Sequence, residues 1–215
     1  MMKTKILVLA TFCLFTIAAN AQFSIGVKGG LNVSSIEDLG PYSLDAKAGF
    51  HAGIMTQYMF NKNLGLESGL YYSLMGGKET EKDYDRPNRI DDYKASANPS
   101  YLQMPLYAIY KVELAENLSV YPSLGLYFGY GLNGKIDVKG IENGNDVTMR
   151  DDFFNDNNNR FDMGAGVGFN VQYKKAVFGL GYEHGFMKIN KRDYPFDDDN
   201  SYNSNIKLSV GFFIN

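Results

Sequence analysis

The chain has 215 residues, a formal charge of −3, 16 tyrosines, 15 phenylalanines, 23 glycines and one cysteine. That length suits a single domain. There is no basic stripe for nucleic acid, and one cysteine cannot build a disulfide framework.

Lys3 and Lys5 open the chain, and the run from Ile6 to Ala18 is apolar. At about a dozen residues, this run falls short of the roughly 20 that a spanning helix needs. Ala19-Asn20-Ala21 has the form of a cleavage site. Residues 1–21 therefore read as a secretory signal peptide and 22–215 as the mature domain. Cys13 lies in the leader behind Phe12, not behind a small residue, so neither a lipid anchor nor a mature thiol is expected. Losing two leader lysines takes the charge from −3 to −5. No later apolar run reaches helix-spanning length, but barrel strands need only about 10 alternating residues each.

Period-2 alternation predicts eight strands after the leader. The first runs from Phe23 to Val33, with Phe23, Ile25, Val27, Leu31 and Val33 on one face. The second runs from Lys47 to Phe60, and the tight turn Asn61-Lys62-Asn63 leads to a third from Leu64 to Leu74. A polar stretch from Gly76 to Pro99 follows, then a fourth strand from Tyr101 to Tyr110. A short link near Val112 to Asn117 precedes the fifth, from Val120 to Tyr130. The stretch from Asn133 to Asn159, rich in Asn, Asp and Gly, is the longest gap. A sixth strand from Arg160 to Tyr173 turns at Lys174-Lys175 into a seventh, from Val177 to Phe186. After a further polar gap, the eighth places Ile206, Leu208, Val210, Phe212 and Ile214 on one face.

Short and long gaps alternate, as they do in an eight-stranded antiparallel transmembrane β-barrel with an up-and-down meander. The all-β fold expected here has periplasmic ends and turns and four outer loops. One face of the strands carries large aliphatics and aromatics, and the other mixes glycine with polar residues. A glycine-rich face is a poor solvent face but a workable lumen. Phe23, Phe60, Tyr110 and Tyr173 near the turns, and Phe50, Tyr72, Tyr130, Phe161 and Tyr182 near the loops, read as two aromatic girdles.

Eight strands enclose an interior that side chains can fill. Tyr71, Tyr107, Tyr121, Tyr127, Met55 and Gln103 are bulky inward residues, and glycines such as Gly26, Gly53, Gly69, Gly166 and Gly181 leave room for them. Lys28, Glu67, Asp162, Glu183 and Lys207 also point inward by parity and are candidates for lumen ion pairs. Lys28, Lys207 and Glu183 belong to adjacent strands on closure and are expected within reach of one another.

No chemistry-bearing motif stands out. Asp151, Asp152 and Asp156, and likewise Asp197, Asp198 and Asp199, lack the spacing of a calcium loop and read as solvated loop tips. His51 and His184 have no zinc-binding context. Glycines 164, 166 and 168 follow strand parity and are not a phosphate loop. No metal, no cofactor and no catalytic residue is expected.

Five stretches carry a family resemblance: Gly49-Phe50-His51-Ala52-Gly53; Glu67 with Tyr71; Tyr101-Leu102-Gln103-Met104-Pro105-Leu106; Phe161-Asp162-Met163-Gly164; and Tyr182-Glu183-His184-Gly185. In this order and spacing the mature chain resembles the small outer-membrane β-barrel proteins of Bacteroidetes, the porin-family or PorT-like barrels. The resemblance implies an eight-stranded barrel in the bacterial outer membrane of a Gram-negative cell and no shared catalytic activity. The chain departs from many such barrels in ending Phe213-Ile214-Asn215 and not on an aromatic residue.

The expected function is structural or interactive: a barrel with a side-chain-filled lumen that displays four extracellular loops. The alternative is a narrow porin-like channel or transporter for small solutes. An enzyme is not expected, for want of a nucleophile–base pair. The partners implied are outer-membrane lipids, the barrel-assembly machinery and other envelope proteins reached through the loops.

Overall fold

The computed structural model describes residues 22–38, 44–81, 91–142, 145–155, 158–189 and 201–215. The signal-peptide reading of 1–21 and the loop-tip readings of Asp156 and Asp197 to Asp199 lie outside these residues.

Eight long strands form the wall: β1 (Phe23–Asp38), β2 (Leu44–Met59), β3 (Leu64–Leu74), β6 (Ser100–Tyr110), β8 (Leu118–Asn133), β11 (Phe161–Tyr173), β12 (Ala176–Gly185) and β13 (Ser201–Phe213). Each pairs antiparallel with the next, and β1 pairs with both β2 and β13. The sheet is therefore closed, and no wall strand has a free edge.

Inside and outside are inverted relative to a water-soluble barrel. Leu31, Leu124, Leu180 and Leu208 stand on the outer wall, each more than half exposed, while Gln57, Glu67, Gln103, Asp162 and Glu183 are buried within. A period-2 strand does this when its apolar face meets hydrocarbon and its polar face meets other polar side chains. No helix among the described residues is long and apolar enough to cross a membrane.

One rim carries both ends of the domain and the short connections. Asn61 Oδ1 accepts the N–H groups of Asn63 at 2.9 Å and Leu64 at 2.8 Å, which closes the β2–β3 turn locally. Lys174 turns β11 into β12 with φ of 54°. The β6–β8 link contains a short strand, β7 (Val112–Ala115), paired with the start of β8.

The opposite rim differs from the expected loops. Within the two longest polar gaps lie four further strands: β4 (Gly77–Glu81), β5 (Asp91–Ala97), β9 (Lys135–Glu142) and β10 (Asn145–Asp152). They pair in the order β4-β5-β9-β10, and β4 pairs with the start of β2, so a small sheet extends the wall. These strands leave the hydrocarbon and need no apolar outer face, so composition hides them. The alternation of Lys135, Ile136, Asp137, Val138 and Lys139, followed by Asn143-Gly144, is the signal that marks one hairpin.

A filled lumen and its candidate functional site

The charged lumen groups stand on the inward parity of wall strands, and the loop-end packing also draws on rim residues such as Ala97, Phe153 and Phe154. Two buried apolar clusters lie in the lumen, one toward each rim. Near the turn end, Met55, Tyr71, Ile109, Tyr121, Val177 and Phe213 form one buried cluster. Near the loop end, Ile36, Met75, Ala97, Tyr101, Phe153, Phe154 and Ile189 form the other. Phe153 and Phe154 come from the segment after β10 and pack edge to face, with ring centroids 5.0 Å apart.

Two buried ion pairs lie in the lumen, one of them against the turn-end cluster. Lys28 Nζ is 2.8 Å from Glu67 Oε1. Gln57 Nε2 donates to Glu67 Oε2 at 2.8 Å, and the Tyr121 hydroxyl donates to the same oxygen at 3.1 Å. The second pair joins Lys207 Nζ to both oxygens of Glu183, at 2.7 and 2.6 Å. The Tyr107 hydroxyl donates to Glu183 Oε1 at 2.8 Å, and Lys207 also donates to Gln103 Oε1 at 3.0 Å. Each charge thus has an opposite charge, and Glu67, Glu183 and Lys207 have further hydrogen bonds, the condition under which burial of ions is tolerated.

Backbone register alone does not name the partners. Lys28 lies opposite Gly211 of β13, whereas Lys207 lies opposite Asn32 of β1. The two lysines are therefore four residues apart along the strands, roughly 13 Å. Lys28 pairs with Glu67, two strands away, and Lys207 with Glu183, and all four line one small cavity. The β2 residue at the level of Lys28 is Gly53, which puts no side chain in the way. Asp162 corrects the ion-pair list: among the described residues it has no cationic partner. Its Oδ2 instead accepts from the Tyr127 hydroxyl at 3.0 Å and from Asn203 Nδ2 at 2.9 Å.

His51 links polar residues of two other strands. Its Nδ1 is 2.7 Å from Asn32 Oδ1, and its Nε2 is 3.0 Å from Ser209 Oγ. A cavity of about 60 Å³, lined by Lys28, His51, Glu67, Tyr107, Glu183 and Lys207 among others, remains between the pairs. It has room for a few waters. Glycines make space for the rings: a Cβ on Gly69 would lie 2.6 Å from the Tyr71 ring, and one on Gly164 would lie 2.6 Å from that of Tyr127. Sequence parity does not show the neutral polar members, Asn32, Ser209, Asn170 and Asn203, as a set, because their contacts depend on strands far apart in the chain. No group of three or more His, Cys, Asp or Glu that could hold a metal occurs among the described residues.

Comparison with curated proteins returns no match. Solved structures give distant likenesses. The attachment invasion locus protein Ail of Yersinia pestis is 15% identical, over 90% of this chain and 99% of that one, with a TM-score of 0.45. Neisserial surface protein A is 16% identical, over 87% and 96%, with a TM-score of 0.41. A major outer membrane protein from Thermus thermophilus is 13% identical, over 87% and 99%, with a TM-score of 0.46. The assignment comes from the family model for the outer membrane protein beta-barrel domain, which matches residues 18–191. The closed wall, apolar outside and polar within, is the structure that such a domain requires in the bacterial outer membrane. The chain belongs to the outer membrane protein beta-barrel domain family.

Proposed function

We propose that this barrel is a non-conducting membrane scaffold that presents its long connections outside the cell, with its short turns and chain ends in the periplasm. The observation that carries the reading is the pair of buried apolar clusters, one toward each rim, that fill the lumen around its ion pairs. Tyr121 and Met55 in one cluster and Tyr101 in the other are almost wholly buried, so the lumen is packed like a core. The four outer connections, two of them built into the small rim sheet, are the surface left for envelope or external partners. The order of the Tyr101 to Leu106, Phe161 to Gly164 and Tyr182 to Gly185 stretches supports membership of the PorT-like Bacteroidetes group. Barrel-assembly machinery and outer-membrane lipids are the partners that this placement implies.

Planar-bilayer recording of the purified protein tests the scaffold. The expected trace is flat, and reproducible single-channel steps would overturn it. The polar cavity in the lumen favours one alternative, a narrow channel closed by Phe153 and Phe154. In that case Phe153→Ala with Phe154→Ala raises conductance. On the scaffold reading the double variant stays silent, because the cluster near the turns still closes the lumen.

A further inference from the structure

The larger cavity described is not in the lumen. It is a cleft of about 420 Å³ where β8 passes into β9, lined by Leu132, Asn133, Lys135, Asp152, Phe154 and Arg160 among others. Its position follows from parity. Leu124, Leu126, Tyr130 and Leu132 form one exposed outward row on β8. Tyr130 lies opposite the exposed Phe161 of β11. Leu132, the outermost member of this row, lines the cleft, so the cleft borders the outer wall immediately beyond an aromatic pair suited to the headgroup zone, with Phe154 of the loop-end lumen cluster at its back.

The cleft carries an anchored cation. Arg160 Nη1 donates to the carbonyls of Gly131 at 3.0 Å and Leu132 at 3.1 Å, and Nη2 donates to that of Phe154 at 3.3 Å. The guanidinium also lies 5.1 Å over the Phe154 ring. These contacts fix its plane without neutralising it, and among the described residues no carboxylate forms an ion pair with it. Lys135, by contrast, pairs with Asp152, and both are exposed. The lining thus holds two cations and one carboxylate, a net positive charge beside an apolar floor. A rigid guanidinium with N–H groups to spare is suited to a phosphate, and Lys135 is free to leave Asp152 for a second contact.

We propose that this cleft binds the phosphate of an outer-leaflet glycolipid headgroup, with the acyl chains running down past Leu132 and Tyr130. The lipid source is favoured over a free anion because the cleft is continuous with the hydrocarbon-facing row. The proposal rests on the orientation proposed above, which puts this rim in the outer leaflet.

The test is native mass spectrometry of the full barrel in detergent, with bis-phosphorylated lipid A, its dephosphorylated form, phosphatidylglycerol and inorganic phosphate as probes. Bis-phosphorylated lipid A is expected to be retained preferentially. Lys135→Gln and Arg160→Gln should each lower its binding about tenfold, as loss of one charge-assisted hydrogen bond does. Lys135 is exposed, so its variant keeps the fold even if the Arg160 variant loosens the rim. Equal retention of the dephosphorylated lipid, phosphatidylglycerol or phosphate would overturn the proposal, as would wild-type binding by the folded Lys135→Gln protein. Orientation is read separately: Thr148→Cys on intact cells should react with a membrane-impermeant maleimide. Without labelling, the orientation fails, whatever the detergent result.

Discussion

Removing the Glu67 carboxylate tests whether the lumen is held by paired charge. Glu67→Leu takes the acceptor from Lys28 at 2.8 Å, from Gln57 at 2.8 Å and from Tyr121 at 3.1 Å. The two charged side chains are only 12% and 5% exposed, so the ammonium left behind has little water to turn to. Breaking such a buried pair costs about 3–5 kcal/mol. Lys28→Met strands the carboxylate in turn, but Gln57 and Tyr121 still donate to it, so a smaller loss of about 2–3 kcal/mol is expected. The double variant removes both charges and should recover most of the loss, with a coupling energy of about 2 kcal/mol or more. The chain has no tryptophan, so the readout is the folded band on unboiled SDS gels across a urea titration in lipid vesicles. If both single variants stay within about 0.5 kcal/mol of the parent, or if their effects simply add, the pairing argument is wrong.

Three further outcomes follow from other parts of the wall. Leu208 is exposed and pairs with Leu31 and Leu180 on its two neighbours, so Leu208→Arg puts a charge in the hydrocarbon. A loss of about 2–4 kcal/mol is expected in the same titration, against about 0–1 for Ile214→Arg at the rim. Gly166 makes room for the Tyr107 hydroxyl, which a Cβ would meet, so Gly166→Val should push Tyr107 off Glu183. A urea midpoint unchanged from the parent would refute that. Lys174 holds φ of 54° in a two-residue turn, where glycine is unstrained, so Lys174→Gly should stabilise by about 0.5–1 kcal/mol. A drop in stability would show that the turn is not strained.

The wall was legible in the sequence because a strand in a membrane must alternate. One face meets hydrocarbon, so Val27, Leu31, Leu180 and Leu208 could not be polar, and the parity of those residues set Lys28, Glu67, Glu183 and Lys207 inside. The rim sheet was far less legible. Outside the hydrocarbon nothing forces an apolar face, and Lys135 to Glu142 resembles a loop by composition although it alternates.

The charges inside were likewise visible, but not their partners. Alternation gives a side chain's face and not its height, because height depends on the stagger with which strands far apart in the chain are hydrogen-bonded around a closed wall. Lys28 is level with Gly53 and Gly211, yet it meets Glu67, four residues along β3 from the Tyr71 that lies opposite Gly53. Asp162 meets Tyr127 and Asn203 in place of a cation. Sequence by itself determined the barrel, its two faces and the residues that line it. Only the tertiary structure decided which of those residues meet, because their contacts are made between strands and not along one.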